Sequence, residues 1–115
     1  MPVSLAELSD ETRVACRAFM RERFKDNDPP VPIKMGRNMG DGGGYGFNVT
    51  DILALLTDVQ ARMRALPRFQ AHQAHIHIVG GAALPGLVGK TLSGVADHAV
   101  KSITASLKAG GVEIE

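Results

Sequence analysis

A proline-rich stretch and a glycine-rich stretch follow one another in the first half of this chain, and neither suits a helix. The sequence NDPPVP ends any helix that precedes it, because proline lacks an amide donor and restricts the residue before it. Residues 36–47, GRNMGDGGGYGF, are half glycine and therefore lose much backbone entropy on becoming ordered. Regular structure must be built mainly from the segments on either side of this break.

Three segments outside the break have the apolar periodicity of amphipathic helices. The first extends to about Asp26 and starts either with a capping box, SLAE, at residues 4–7 or at SDE, residues 9–11. The second is capped by Asn48 or Thr50 and stops at Pro67, and the third runs from about 88 to 107 and ends at Gly110-Gly111. The predicted apolar faces are Ala15, Cys16, Phe19, Met20 and Phe24; Ile52, Leu55, Leu56, Val59, Met63 and Leu66; and Val88, Leu92, Val95, Ala99, Ile103 and Leu107.

Three short stretches alternate between apolar and other residues, as β-strands do. They lie at residues 31–35, 74–79 and 112–115. With the helices, they give the order α-β-α-β-α-β. A chain of 115 residues is one domain by size. We therefore predict a single domain over residues 1–115, of the α+β or α/β class, with about three helices and a minimal sheet of three short strands.

The composition is that of a soluble globular protein, with 44% hydrophobic and 22% charged residues. No apolar run approaches the roughly 20 residues that span a bilayer, and the first twenty residues lack the apolar core of an export signal. The single cysteine, Cys16, lies in an apolar helical face and is predicted to be a small core residue. These features predict a cytoplasmic protein without a membrane segment.

The basic residues are concentrated in the second half of the chain, although the formal net charge is only +1. Between Val59 and Val112 there is a single acidic residue, Asp97. A basic surface of this kind could bind nucleic acid, or the charges could simply solvate two helix faces. The basic residues of this segment are Arg62, Arg64, Arg68, Lys90, Lys101 and Lys108.

Residues 84–91, LPGLVGKT, resemble the phosphate-binding P-loop in their last three positions. Leu84 stands where the first glycine is required, and no later strand ends in an aspartate that could hold magnesium. Anion binding by Gly89, Lys90 and Thr91 at a helix start needs only free amide groups and a nearby cation. The other interpretation is that Pro85 and Gly86 merely start a helix.

The four histidines, His72, His75, His77 and His98, are all in the second half of the chain. His75 and His77 would share one face of a strand, which is a spacing found in metal sites, but a third ligand would have to come from elsewhere in the fold. Asp97 is a further candidate ligand. Polar histidines on a half-buried strand need no ligand, and we predict no metal.

The run QAHIHIVGG at residues 73–81 also resembles the signature of the histidine-triad nucleotide hydrolases, with Gln73 in place of the first histidine. The resemblance implies that His75 would be the nucleophile that attacks a phosphate and that His77 would be its neighbour.

The glycine-rich loop at residues 36–47 carries Arg37, Tyr45 and Phe47 in a chain with only 4% aromatic residues. These are side chains typical of protein interfaces, so the loop is either an interaction element or a flexible connector. The sequence has no complete catalytic set and implies no cofactor. We therefore expect a non-enzymatic assembly or interaction subunit that self-associates or binds protein partners, for example a virion component. The alternative is a phosphate- or nucleotide-binding enzyme that uses Gly89, Lys90 and Thr91 or the His75/His77 strand.

Overall fold

The computed structural model describes residues 2–24, 49–78, 87 and 92–115, and these residues are mostly helical. The helices are α1 (Leu5–Phe24), α2 (Val49–Ala65), α3 (Pro67–Gln70) and α4 (Leu92–Ala109), and a single 3₁₀ turn covers Gln73–His75. Helix α1 packs against both α2 and α4, while the short α3 packs against α2. The described part of the chain is therefore a small helical domain centred on α1.

The predicted start of α1 at the capping box is confirmed, and the alternative start at residues 9–11 lies inside the helix. The Ser4 carbonyl accepts a hydrogen bond from the Leu8 amide at 3.0 Å, and the Ser4 hydroxyl lies 3.5 Å from the Glu7 amide, which donates to it. The side chain of Ser4 thus occupies one of the amide groups that a helix start leaves without a partner inside the helix. Further along α1, Leu8, Cys16 and Met20 are buried in the core.

One apolar core joins the helices, and the predicted stripes of α2 and α4 face it. Leu66 and Leu92, at opposite ends of the two stripes, are only partly buried, and the side chains of Phe24 and Val88 lie outside the described residues. The core holds Val3, Leu8, Ala15, Cys16, Phe19, Met20, Ile52, Leu55, Leu56, Val59, Met63, Phe69, Ile76, Ile78, Leu87, Val95, Ala96, Ala99, Val100, Ile103 and Leu107.

Helix α4 ends as its glycine pair predicts. The Gly111 amide donates to the Lys108 carbonyl at 3.0 Å, and the Val112 amide donates to the Leu107 carbonyl at 2.9 Å. Gly111 has a φ of +89°, which residues with a side chain rarely adopt. This pair of hydrogen bonds with a left-handed glycine is the Schellman motif, and it turns the chain sharply after α4.

The predicted sheet is wrong, because the described residues contain no β-strand. The tail at 112–115 forms only one parallel bridge, between Ile114 and Val3. The Val3 amide donates to the Glu113 carbonyl and the Glu115 amide donates to the Val3 carbonyl, both at 2.8 Å. The apolar alternation in the tail arises because Val112 and Ile114 pack against the core. This packing requires no strand, and the tail forms only the one bridge. The α+β or α/β class is thus corrected to a mostly helical domain.

The second predicted strand, at residues 74–79, is also wrong within the part that the structure describes. Residues 73–75 form the 3₁₀ turn, and residues 76–78 lie over the core outside any strand. The alternation itself is real, because Ile76 and Ile78 are buried while His75 and His77 are exposed. Side chains replace a neighbouring strand as donors to the carbonyls: Arg64 Nη2 donates to Ile76 at 2.6 Å and Ser106 Oγ to His77 at 2.8 Å.

Charged side chains connect α1 to each of the other helices. Arg13 pairs with Asp97 of α4 at 2.5 Å, Glu22 with Arg62 of α2 at 2.5 Å, and Glu7 with Arg68 of α3 at 2.7 Å. These groups are largely exposed, so each pair stabilises the fold only slightly. Their effect is to favour one arrangement of the helices around α1.

The first predicted strand, at residues 31–35, lies outside the described residues, as does the predicted end of the first helix at Asp26. Among the described helices, not one combines the length and apolar character needed to cross a membrane.

Candidate functional site

Six of the residues predicted to bind a ligand or a partner lie outside the described part of the chain. They are Arg37, Tyr45 and Phe47 in the glycine-rich loop, and Gly89, Lys90 and Thr91 ahead of α4. Their roles remain predictions. The candidate residues that the structure describes therefore lie on the helices and in the segment after α3.

Two of the four histidines meet at one polar cavity of about 440 Å³. His72 and His75 line it together with Ala71 and with the tail residues Gly110, Gly111, Val112 and Glu113. His77 and His98 do not line this cavity. Within residues 2–24, 49–78, 87 and 92–115, no group of three or more histidine, cysteine or acidic side chains is placed to hold a metal ion. Asp97, a candidate third ligand, pairs instead with Arg13.

The histidine-triad resemblance loses its structural basis in the same region. That signature implies a strand in which His75 and His77 share a face and precede a glycine pair. In this fold, His75 closes a 3₁₀ turn and contacts Gly110, while His77 lies on the extended segment beyond it.

The contact between His75 and Gly110 gives a testable prediction. A Cβ atom added at Gly110 would lie 2.4 Å from Cγ and Nδ1 of His75, so Gly110→Ala must displace the ring. We expect this change to lower the free energy of unfolding by about 1 kcal/mol, and to cost much less in a His75→Ala background. Urea unfolding of the two single variants and the double variant measures this coupling. Strictly additive effects would show that the ring does not constrain Gly110.

The three arginines of the second half are engaged within the chain. Arg62 donates to Asp58 and to Glu22, and the hydrogen bonds to Glu22 and Asp58 raise the pKa of its guanidinium. Arg64 donates to the Ile76 carbonyl, and Arg68 pairs with acidic residues of α1. These three arginines orient α2, α3 and the segment after α3. A charge reversal at Arg62 and Arg64 would therefore disturb the fold as well as any surface that binds nucleic acid.

Lys101 and Lys108 differ from the arginines, because both are exposed and neither has an ion-pair partner in the part of the chain that the structure describes. They lie seven residues apart on α4. An α-helix completes nearly two turns over that distance, so both lysines lie on one side of α4 and are separated by about 10 Å along the axis. The free positive charge of α4 is thus concentrated along one line.

That line borders a groove of about 410 Å³ between α1 and α4. Its lining is mostly apolar, and it contains no acidic residue. Leu5, at the start of α1, is 44% exposed and forms one wall. A single exposed leucine is ordinary for a globular protein, but Leu5 continues the apolar lining of the groove and so enlarges one apolar surface, which is the kind of feature found at interaction sites. The lining residues are Leu5, Ser9, Val100, Lys101, Thr104, Ala105 and Lys108.

A second, smaller groove of about 250 Å³ lies between α1 and α2, and Val14 on its edge is 66% exposed. Its two charged residues, Glu11 and Arg62, already have partners within the chain, Arg68 and Glu22 respectively. This groove thus offers an apolar surface without free charge. The α1–α4 groove has two lysines without ion-pair partners among the described residues, so its charge indicates the kind of partner that would bind there.

Sequence reasoning did not identify the α1–α4 groove. Its residues come from the start of α1 and from residues 100–108 of α4, and only the fold brings them together. The one sequence feature that could have indicated the groove is the spacing of Lys101, Ala105 and Lys108, which places two cations and a small residue on one side of a helix.

Comparison with known proteins yields no relationship: neither a family model, nor a curated protein, nor a solved structure matches this chain.

Proposed function

We propose that this chain is a non-enzymatic interaction subunit of a larger assembly and that it docks onto a partner protein through the α1–α4 groove. The observation that supports the proposal is the groove itself, which combines an apolar floor with two lysines free of ion pairs among the described residues. Specific protein interfaces have this anatomy, with an apolar centre and a polar or charged rim.

The position of the groove also suits a docking surface. Both of its walls are helices that pack against each other, and each contributes fully buried residues to the core, Leu8 from α1 and Ile103 from α4. A surface on rigid elements loses little conformational entropy on binding. Substitutions at its exposed positions can therefore change binding without unfolding the domain.

The test uses Ala105→Arg, which places a long cation in the groove at an exposed position of α4. Ala61→Arg on α2 is the matched control, because Ala61 is an exposed helical alanine that does not line the groove. Proteins captured from extracts of the source cells by the wild type and by both variants are compared. Each protein that is lost only with Ala105→Arg is then purified, and its affinity for the three chains is measured.

We expect at least one purified partner to bind the wild type and Ala61→Arg equally, and to bind Ala105→Arg at least tenfold more weakly, since an interfacial clash of this kind costs more than 1.4 kcal/mol. Equal binding to all three chains would remove the groove from the proposal. Stabilisation of the chain by a nucleotide in a thermal-shift panel would favour the alternative, a phosphate- or nucleotide-binding enzyme.

A further inference from the structure

We infer that the occupant of the α1–α4 groove is an acidic amphipathic helix of another protein, whose carboxylates pair with Lys101 and Lys108. This inference rests on the proposed function and specifies the chemistry of the partner. It is drawn from the shape of the groove, from its charge and from the arrangement of the two lysines.

The shape of the groove favours a helix. The α4 side includes Lys101, Thr104, Ala105 and Lys108, which recur at three- and four-residue spacing, together with Val100, and α1 contributes Leu5 and Ser9 four residues apart. Two helices that pack side by side leave a furrow between them, and the ridge of a third helix fits such a furrow. The small side chain of Ala105 allows close approach at the middle of the α4 wall.

The positive charge of the groove favours a partner with negative charge. Its lining contains two lysines and no carboxylate, and neither lysine is neutralised by another described residue. A partner helix with two acidic residues about seven positions apart would place its carboxylates opposite both lysines, since α-helices share one rise per residue. Leucine or a similar residue between those acids would contact Leu5 and Val100.

The same charges argue against a second copy of this chain as the occupant. In a twofold dimer formed through the groove, the two lysines of one copy would face the two lysines of the other. Like charges brought together at an interface oppose association. The groove therefore complements an acidic surface and not itself.

The experiment uses two synthetic helical peptides of about 18 residues, long enough to form a helix on docking. Both carry a leucine stripe, flanked in one by two glutamates seven positions apart and in the other by two lysines at the same positions. Fluorescence anisotropy measures their affinities for the wild type, for Lys101→Glu/Lys108→Glu and for Ala105→Arg. Arg17→Glu/Arg21→Glu is the control for net charge, because these two exposed arginines of α1 do not line the groove.

We expect the glutamate peptide to bind the wild type about tenfold more tightly than the lysine peptide at low salt, and the ratio to shrink as salt screens the charges. Lys101→Glu/Lys108→Glu should reverse the preference, whereas Arg17→Glu/Arg21→Glu should retain it. At high salt, where the charge of the added cation is screened, Ala105→Arg should weaken binding of the glutamate peptide through its bulk. Circular dichroism and urea unfolding verify that each variant is folded.

The other outcomes separate this inference from the proposed function. If both peptides bind equally and Ala105→Arg weakens both, the groove is a docking surface, but its preference for acidic helices is overturned. If neither peptide binds, the inference of an acidic helix is also overturned. The proposed function is then tested only by the affinities of the purified partners for the wild type, Ala61→Arg and Ala105→Arg. If sedimentation shows a wild-type dimer that Ala105→Arg dissociates, the occupant is a second copy and the inference is wrong.

Discussion

Replacing Phe69 by alanine is expected to lower the free energy of unfolding by about 3–5 kcal/mol, the usual cost of removing a fully buried aromatic side chain. Phe69 has no exposed surface and belongs to the central core. It lies in α3, a single helical turn that has little stability of its own and is held by packing. Loss of the ring would therefore leave a cavity and also release α3 from the core.

Two matched variants test this role of Phe69. Phe69→Leu keeps most of the apolar volume and should cost about 1–2 kcal/mol, and Gln70→Ala, at an exposed position of the same turn, should change stability by less than about 0.5 kcal/mol. Urea unfolding followed by circular dichroism measures all three. A cost below 1 kcal/mol for Phe69→Ala would mean that α3 is not part of the cooperative core.

Phe69 also shows where sequence reasoning about this fold reaches its limit. Helices α1, α2 and α4 are long enough to repeat an apolar residue several times at three- and four-residue spacing, and among the described residues those repeats predicted faces that are buried or partly buried. One turn contains no repeat, so nothing in the sequence PRFQ distinguishes a buried phenylalanine from one in a loop. The proline at its start marked only the end of α2.

The strand predictions failed for a different reason. Alternation reports which side chains of an extended segment are buried, and it predicted correctly that Ile76 and Ile78 are buried. It does not report what accepts and donates the backbone hydrogen bonds. Here Arg64 and Ser106, side chains on α2 and α4, donate to this segment, so no neighbouring strand is needed at those two carbonyls. The sequence alone does not identify these donors, because they reach the segment only after the helices have packed together.

The candidate site was even less accessible to prediction than the fold. The sequence shows the excess of basic residues in the second half, but it does not show which of them form ion pairs. The acidic partners of Arg68 lie on α1, more than fifty residues earlier in the chain. Only the pairing of α1 with the later helices shows that Lys101 and Lys108 retain unpaired charge among the described residues.

The second large effect concerns pH and Cys16, whose burial was predicted correctly. Burial raises the pKa of the Cys16 thiol from 9.0 to about 12, because a thiolate would be poorly solvated in the core. The charge of Arg13 opposes this shift, and that of Asp58 adds to it. Between these two pH values the unfolded chain loses a proton that the folded chain keeps. The free energy of unfolding must therefore fall as pH rises from about 9 towards 12, by about 1.4 kcal/mol per pH unit from this group.

The Cys16→Ala variant isolates this contribution, because every other ionisable group is the same in both chains. Urea unfolding at pH 7, 9 and 10.5 should show that the wild type loses about 2 kcal/mol more than the variant over this range. The cost of the small cavity in Cys16→Ala does not depend on pH, so it shifts the variant's stability by a constant amount. If the free energies of unfolding of the two chains fell in parallel with pH, the thiol would ionise as readily in the folded as in the unfolded chain. Cys16 would then not be buried from solvent in the core.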